Sequence, residues 1–433
     1  MKLLREGAAV LGLRLGQAAA GAGAGLVVAR ALGPDGQGRY AMGITLLMFA
    51  AAAVNGGVGL AAVPAIRSRP ASARSLMRTQ ALWTGAASLA AAALGALAWR
   101  TEAGASLAAR LGWSGATAAA MVGALAALVL CDILAYDLLA LGRLRTGTAV
   151  NLGRGLLQLA LLGAALASGA FGLTAALVIF CVSQVAGVVV FAVLAVRHAR
   201  HAGCATEAAP VRHAVGWAGL VRAGWQGQLS AVVSLLHMRL ALALVAAWHG
   251  ATAVGIYSVA VMIGEVLWLL PSALQPLLVW SAAAPDRATG DDTSARAVRV
   301  ALAATTIAAC LTAVAAPLLL APLFGAQYRA AVPVLWALLP GIVACAPGAV
   351  LAGDFIGRGR SAWNTQASLV TLAVNAGAGL ALIPDHGLQG AALATSLAYT
   401  VGSAVMLARF RRVASLPWRR LLLPGRDDFS LRA

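Results

Sequence analysis

Few residues in this chain of 433 can do chemistry, because most of it is apolar, and that makes the exceptions informative. Arg14 and Gln17 are three apart and so share a helix face. Asp132 and Tyr136 are four apart, with Asp137 next in line. Asn151, Arg154 and Gln158 fall at i, i+3 and i+7, again one face. Gln228, His237 and Arg239 occupy another apolar run and Glu265 the next, while Asn55, Gln184 and Asn375 add uncharged polarity. Ionisable side chains in hydrocarbon are costly and by default mark function. Guanidinium groups suit bidentate binding of phosphate and carboxylate. Arg14, Arg154 and Arg239, assisted by Gln17 and Gln158, are therefore expected to form an anion site. Asp132 and Glu265, one in each half of the chain, are candidates for ion or proton coupling. Blander readings stand beside these. Arg14, Asp137 and Arg154 lie near the ends of their runs and can snorkel. Asp137 can pair with Arg143 or Arg154, and Arg239 with Glu265 or Asp132. His237 reads as an interior hydrogen-bonding histidine or as a proton relay.

No catalytic set emerges. His198-x-x-His201-x-x-Cys204 has loose metal-ligand spacing without a fourth ligand. There is no Walker A sequence and no grouping of Ser, His and Asp. The five cysteines are scattered, mostly in apolar runs where they act as small hydrophobes. The chain reads as a non-enzyme, with no metal and no cofactor.

The elements that must position these residues are membrane spans. The sequence is 61% hydrophobic and 11% charged, with a mean hydropathy of +0.86. Apolar runs of about 20 residues, the length a helix needs to cross a bilayer, recur from end to end. The alternating pattern of a membrane barrel is absent. About twelve spans can be placed, roughly over 8–32, 40–63, 79–99, 115–140, 148–168 and 173–196, then 224–248, 255–280, 300–321, 331–352, 364–383 and 389–408. The expected organisation is an N-terminal six-helix lobe (1–196), a polar cytoplasmic linker (197–222), a C-terminal six-helix lobe (223–410) and a cytoplasmic tail (411–433). The net charge of +18 invites a nucleic-acid reading, but its distribution is topological. Only Arg30, Arg39, Arg100, Arg110 and Arg329 fall on the side opposite the N-terminus, and Arg14, Arg154 and Arg239 lie within spans. The rest of the 32 Lys and Arg lie on the N-terminal side. The positive-inside rule then places both termini in the cytoplasm and asks for an even number of spans. No nucleic-acid partner is expected. The basic, apolar N-terminus could be a signal peptide, but Arg14 interrupts the run and cleavage would break the even count. The loops are too short for the cytoplasmic domain of a glycosyltransferase or the long external loop of a polymerase or ligase. Small residues over Ala18–Gly25 form a close-packing face, and Pro271, Pro276, Pro340 and Pro347 are expected to kink their spans.

The chain also repeats itself. Gly33, Gly38 and Tyr40 recur as Gly250, Gly255 and Tyr257, each 217 positions on. Leu141-Gly142-Arg143 falls on Ile356-Gly357-Arg358, and Gly172-Leu173 on Gly387-Leu388, each 215 positions on, which implies an insertion or deletion of two. Two membrane repeats usually build a transporter with its site at their interface.

Arg30-x-Leu32-Gly33-Pro34-x-x-x-Gly38-x-Tyr40-Ala41 resembles the first-loop signature of the polysaccharide transporter (O-antigen, Wzx-type) flippases, within the MATE-like multidrug/oligosaccharidyl-lipid/polysaccharide superfamily. Gly255-Ile256-Tyr257-Ser258-Val259-Ala260, Leu323-Phe324-Gly325-x-x-Tyr328, Gly357-Arg358-Gly359-Arg360 and Ile383-Pro384-x-x-Gly387-x-x-Gly390-Ala391-Ala392 are similar to later segments of that family. The resemblance implies a V-shaped bundle of two six-helix lobes around a central cavity in the bacterial inner membrane. It implies a flippase that moves an undecaprenyl-diphosphate-linked oligosaccharide from the cytoplasmic to the periplasmic leaflet for surface polysaccharide (O-antigen, lipopolysaccharide, capsule or exopolysaccharide) synthesis. Membrane lipids, a polysaccharide polymerase and a chain-length regulator are the implied partners. The lipid II flippase relatives typically carry two further helices, for which this chain has no room. The rivals are a cation-coupled multidrug or other lipid exporter of the superfamily, expected to carry an acid in the first helix where this chain has Arg14, and an integral-membrane enzyme of envelope synthesis.

Overall fold

A span in lipid must satisfy every backbone polar group internally, which leaves a run that is apolar all round only the helix. The computed structural model is helical, with no strand among the described residues, which are 2–68, 73–102, 106, 109, 112–204, 217–282 and 287–423. The helices are α1 (Lys2–Asn55), α2 (Val58–Ser68), α3 (Ala73–Trp99), α4 (Gly115–Ala140), α5 (Leu144–Ala167) and α6 (Leu173–Cys204). They continue as α7 (Trp217–Ser272), α8 (Gln275–Ala282), α9 (Arg287–Phe324), α10 (Ala331–Gly357), α11 (Ala362–Ala414) and the short α12 (Trp418–Leu422). Residues 205–216 of the expected linker and 424–433 of the expected tail lie outside the described residues.

Nine of these helices are long and apolar enough to cross a membrane among the described residues. Three are double length: 47 residues over Ala9–Asn55, 53 over Gly227–Val279 and 53 over Ala362–Ala414. At 1.5 Å per residue such a helix would be more than twice as long as a bilayer's hydrocarbon core is thick. Each is interrupted by one glycine that no L-residue would readily replace: Gly33 (φ 67, ψ −178), Gly250 (φ 77, ψ −173) and Gly387 (φ 56, ψ −131).

Packing partners show that the chain reverses there. On the first limb of α1, Gly16 lies against Leu152, Ala20 against Gly155 and Gly23 against Leu159, so this limb runs parallel to α5. On the second limb Gly43 meets Trp113, and further on Gly59 meets Ile133, so the chain now runs parallel to α4. α4 and α5 are joined by a tight turn at Gly142 and run opposite ways. In α11 the reversal is direct: Thr371 contacts Gly402, and the Leu382 carbonyl contacts Gly390. Counted as paired limbs, the helices give twelve traversals of a multi-pass membrane protein. The expected open loop after Gly33 is a single non-helical residue, because Pro34 has the φ that starts the next limb.

The repeat is also visible in the breaks. α1 ends and α2 begins around Gly56–Gly57, and α7 gives way to α8 at Ala273–Leu274, again 217 positions on. Pro271 and Pro276 flank that second break, whereas α10 runs on through Pro340 and Pro347. One alignment changes. Gly142 (φ 73) matches Gly359 (φ 69), not Gly357. Both turns carry the same cap, with Arg143 N–H donating to Leu138 O at 2.8 Å and Arg360 N–H to Phe355 O at 2.7 Å. The offset is therefore 217 through this hairpin. It becomes 215 only beyond it, where α6 starts after Gly172 and the last limb of α11 after Gly387, so the length change lies in the turn between the last two spans of each repeat.

The chain divides into two compact units, Met1–Leu32 with Arg39–Val232, and Gly33–Gly38 with Val233–Ala433. The second contains a cluster of Phe355, Phe410, Val298 and Leu351 with Trp363 against it. There α10 and the last limb of α11 approach so closely that a Cβ on Gly341 would lie 2.3 Å from Ser396 Cα. In the first unit the small-residue face of α1 is Gly16, Ala20 and Gly23, while Gly21 faces open space. The many exposed leucines and valines, such as Leu82, Leu89, Leu311 and Val314, are what lipid-facing spans present.

Candidate functional site

In the first unit, α4, α5 and α6 bring together Cys131, Asp132, Arg154 and Gln184. Gly187 of α6 has no side chain, and the Arg154 stem lies in that space: a Cβ there would be 3.0 Å from Arg154 Cδ. Arg154 Nη1 donates to Gln184 Oε1, and Cys131 Sγ–H donates to Gln184 O at 3.4 Å. Gln184 is buried, so Arg154 is oriented from within the helix bundle rather than from solvent. Asp132 is exposed on α4, with Arg154 and Tyr136 in electrostatic reach. Gln158 Nε2 donates to Tyr40 OH at 3.4 Å, so it serves the second limb of α1. Arg14 is exposed and Gln17 half-buried. The register of α1 on α5 puts Gln17 level with Gly153 and Arg154, one turn above Arg14. Arg14, Gln17, Arg154 and Asp132 thus share one unit and about one depth.

In the second unit the two limbs of α7 carry a pair of opposite charges. Arg239 Nη1 lies 3.1 Å from Glu265 Oε1, with the side chains 21% and 38% exposed. Of the two partners that sequence offers Arg239, Glu265 is the one it meets. Arg239 Nε and Trp268 Nε1 have no hydrogen-bond partner. Beside them is a cavity of about 40 Å³, lined by Tyr257, Glu265, Trp268, Cys345, Thr395 and Tyr399 and large enough for a few water-sized groups. Tyr257 OH and Thr395 Oγ1 are 3.1 Å apart on its wall. His237 stacks edge-on against Tyr399 at 6.2 Å, and Asn375 Nδ2 donates to the His237 carbonyl at 2.9 Å. His237 Nδ1 has no hydrogen-bond partner among the described residues. Tyr257 and Asn375 stand 217 positions after Tyr40 and Gln158: both repeats keep a tyrosine and an amide at these places but bond them differently.

One cluster was missed. Arg358 Nε donates to Asp354 Oδ2 at 2.6 Å and its Nη2 to Asp354 Oδ1 at 3.0 Å and Asp291 Oδ1 at 2.5 Å. Ser294 Oγ donates to Asp354 Oδ1 at 2.7 Å, and the guanidinium sits 5.5 Å from the Phe410 ring. Burial works against the charged guanidinium, but the hydrogen bonds and charges of Asp354 and Asp291 outweigh it and hold its pKa above the ordinary value. At an offset of 217 Asp354 falls on Asp137, so the corrected repeat alignment would have found it. Asp137 itself is not paired with Arg143 or Arg154. It is fully buried and accepts from Gln80 Nε2 at 3.1 Å.

No group of His, Cys, Asp and Glu among the described residues could hold a metal. His198 Nδ1 lies 2.7 Å from Leu194 O in its own helix. The side chains of His201 and Cys204 lie outside the described residues.

No family model matches the chain, and no curated protein matches it. Solved structures do. An inward-facing multidrug resistance MATE family transporter of the MOP superfamily superposes with a TM-score of 0.75 at 15% identity, over 94% of this chain and 98% of that one. The lipid II flippase MurJ, in an inward closed conformation, gives 0.74 at 12% identity, over 94% and 87%. A MOP superfamily transporter from Pyrococcus furiosus, described as having a binding pocket of reversed polarity, gives 0.58 at 15% identity, over 95% of both chains. The chain has the fold of MOP-superfamily transporters.

Proposed function

We propose that this protein is an alternating-access flippase carrying an undecaprenyl-diphosphate-linked oligosaccharide across the bacterial inner membrane, from the cytoplasmic to the periplasmic leaflet, with both its termini in the cytoplasm. The observation that carries the reading is the charge of the first unit's polar face. Arg14 and Arg154 stand at about one depth among apolar helices with Asp132 as the one acid beside them, and between Ala9 and Asn55 the only acid is Asp35, two residues from the Gly33 reversal. A diphosphate crossing a low-dielectric core needs cations, and guanidinium groups bind it bidentately. The resemblance implies an acid in the first helix of a cation-coupled exporter, where this chain has Arg14. The fold shared with a lipid II flippase supports a lipid-linked cargo whose tail stays in the bilayer. Arg239, with Gln17 and Gln158, completes the proposed cargo set, and Asp132 and Glu265 are the proposed coupling carboxylates. A polymerase and a chain-length regulator are the proposed partners downstream.

The second reading, a cation-coupled multidrug exporter, is favoured by the Glu265 carboxylate beside the aromatic cavity of the second unit. Reconstituted vesicles separate the two. A fluorescent polyprenyl-diphosphate oligosaccharide should be flipped by the wild type, and Arg14→Ala and Arg154→Ala should each weaken its binding by about 1.5–3 kcal/mol, one to two decades. Efflux of a lipophilic cation with no flipping would overturn the proposal, as would wild-type flipping by both variants.

A further inference from the structure

The matched caps at Gly142 and Gly359 place Asp137 and Asp354 at equivalent positions, one helical turn before the end of α4 and of α10. Leu141 N–H donates to Asp137 O, and Arg358 N–H donates to Asp354 O. Both carboxylates are fully buried. Their surroundings differ, first of all four residues further on. The residue four further on is Arg358 in α10 and Leu141 in α4. Asp354 therefore has a bidentate cation and a serine hydroxyl. Asp137 has one neutral donor, Gln80 Nε2, and among the described residues no ion pair. Among the described side chains, the charged groups on the elements around it are Asp132 of α4 itself, Arg78 of α3, Arg143 just before α5, Arg145 and Arg154 of α5, Arg197 of α6 and Arg222 at the start of α7; Arg154 is half-buried and the others are exposed. Among the described residues, Gln80 is the one that hydrogen-bonds the Asp137 carboxylate. The side chains of Arg67 in α2, Arg74 in α3 and Arg200 in α6 lie outside the described residues. The same helices carry apolar clusters close by in sequence: Leu76, Met77, Ala140 and Leu141 in one, and Leu134 and Leu138 in another.

Two atoms in this site have no partner, Asp137 Oδ2 and Gln80 Oε1. They belong to the same hydrogen-bonded pair. A carboxylate and an amide acceptor cannot satisfy each other. A carboxylic acid can, because a proton on Oδ2 turns it into a donor for Oε1 and closes an acid–amide ring. A buried carboxylate without a cation is neutralised rather than left charged. We propose that Asp137 is a proton-binding site, held by Gln80 as a neutral acid–amide pair, and that this proton does in the first repeat what Arg358 does in the second. The site is separate from Asp132 and Glu265 and independent of what the protein carries. Water or a cation reaching between α3 and α4 would release the proton.

Infrared difference spectra of the purified protein in lipid nanodiscs test this. At neutral pH the wild type minus Asp137→Asn should show a protonated-carboxyl C=O band that shifts in D2O. Asp354→Asn should remove carboxylate bands instead. Asp137→Asn mimics the neutral acid and should keep the wild-type Tm, whereas Asp354→Asn, which leaves Arg358 with Asp291 as its only anion, should lower it. Leu141→Arg should abolish the Asp137 band by supplying the missing cation. Where that variant does not accumulate, the Asp137→Asn spectrum decides alone. Carboxylate rather than acid bands in that spectrum would overturn the proposal.

Discussion

An arginine among apolar helices is stable only when its charge is solvated, snorkelled or paired, and Arg239 and Glu265 meet that demand at 3.1 Å while remaining partly exposed. The exposure puts the pair between two regimes. Open ion pairs contribute about 0–1 kcal/mol, and stranding one charge of a buried pair costs about 3–5 kcal/mol. Arg239→Ala should therefore destabilise by about 1–2 kcal/mol, discounted for solvent access. Thermal unfolding of that variant and of the Arg239→Ala/Glu265→Gln double variant checks this: the double variant should recover the Tm. If Arg239 also holds cargo, transport stays impaired after stability returns. Recovery of both would make the arginine a purely structural partner of Glu265. This ambiguity was already present in the sequence, which places both residues in spans without saying that the two limbs of α7 face them toward each other. Asp137 shows a different limit. Its neighbours Arg143 and Arg154 look like natural partners along the chain, yet it turns toward Gln80, 57 positions upstream. Only packing decides that.

Elements were more legible than residues, for a physical reason. A span is recognised by some twenty apolar residues, a long signal that tolerates local noise, and the expected spans coincide with the observed limbs. The reversals are single residues, and Gly33 and Gly250 were visible because the repeat offers each twice. Breaks that arise from close approach had no such signal. Gly57 interrupts a run that reads as one span, and a Cβ on it would lie 2.4 Å from Gly224 O. Likewise, nothing local distinguishes the glycines that packing requires from those it does not. Gly341→Ala should push α10 off Ser396, whose Cα would lie 2.3 Å away, at a cost of about 1–3 kcal/mol. Gly163→Ala, with nothing within 4 Å on α5, should be neutral or stabilise by up to about 1 kcal/mol through helix propensity. Tm values of the two variants in the same detergent give the comparison, and equal values would contradict the close approach of α10 and α11. Gly250→Ala isolates backbone strain, because no atom lies within 4 Å of its Cβ and yet φ is +77. A loss of about 1–3 kcal/mol is expected from the dihedral alone.

At the scale of the whole molecule, three glycine reversals decide how many times the chain crosses and hence where its ends lie. If α1, α7 and α11 are each two limbs, the traversals number twelve and the termini share a side. If any one of them ran on as a single tilted helix, the parity would change and the ends would lie on opposite sides. A 53-residue helix would be about 80 Å long against a core of about 30 Å, which no plausible tilt accommodates. The arginines agree independently. Those outside the spans concentrate on the side of the N-terminus, and the exceptions include Arg30 and Arg39, which flank the Gly33 reversal. The proposed topology thus rests on two unrelated quantities, backbone dihedrals and charge bias. Single cysteines at Asp35, Thr252 and Asp385, in a background lacking the native cysteines, should be labelled from outside intact cells by an impermeant maleimide. Cysteines at Lys2, in the 197–222 connection and at Arg412 should react only after permeabilisation. External labelling of the connection would invert the charge argument. Labelling of Lys2 and Arg412 from opposite sides would mean that one of the three glycines does not turn the chain around.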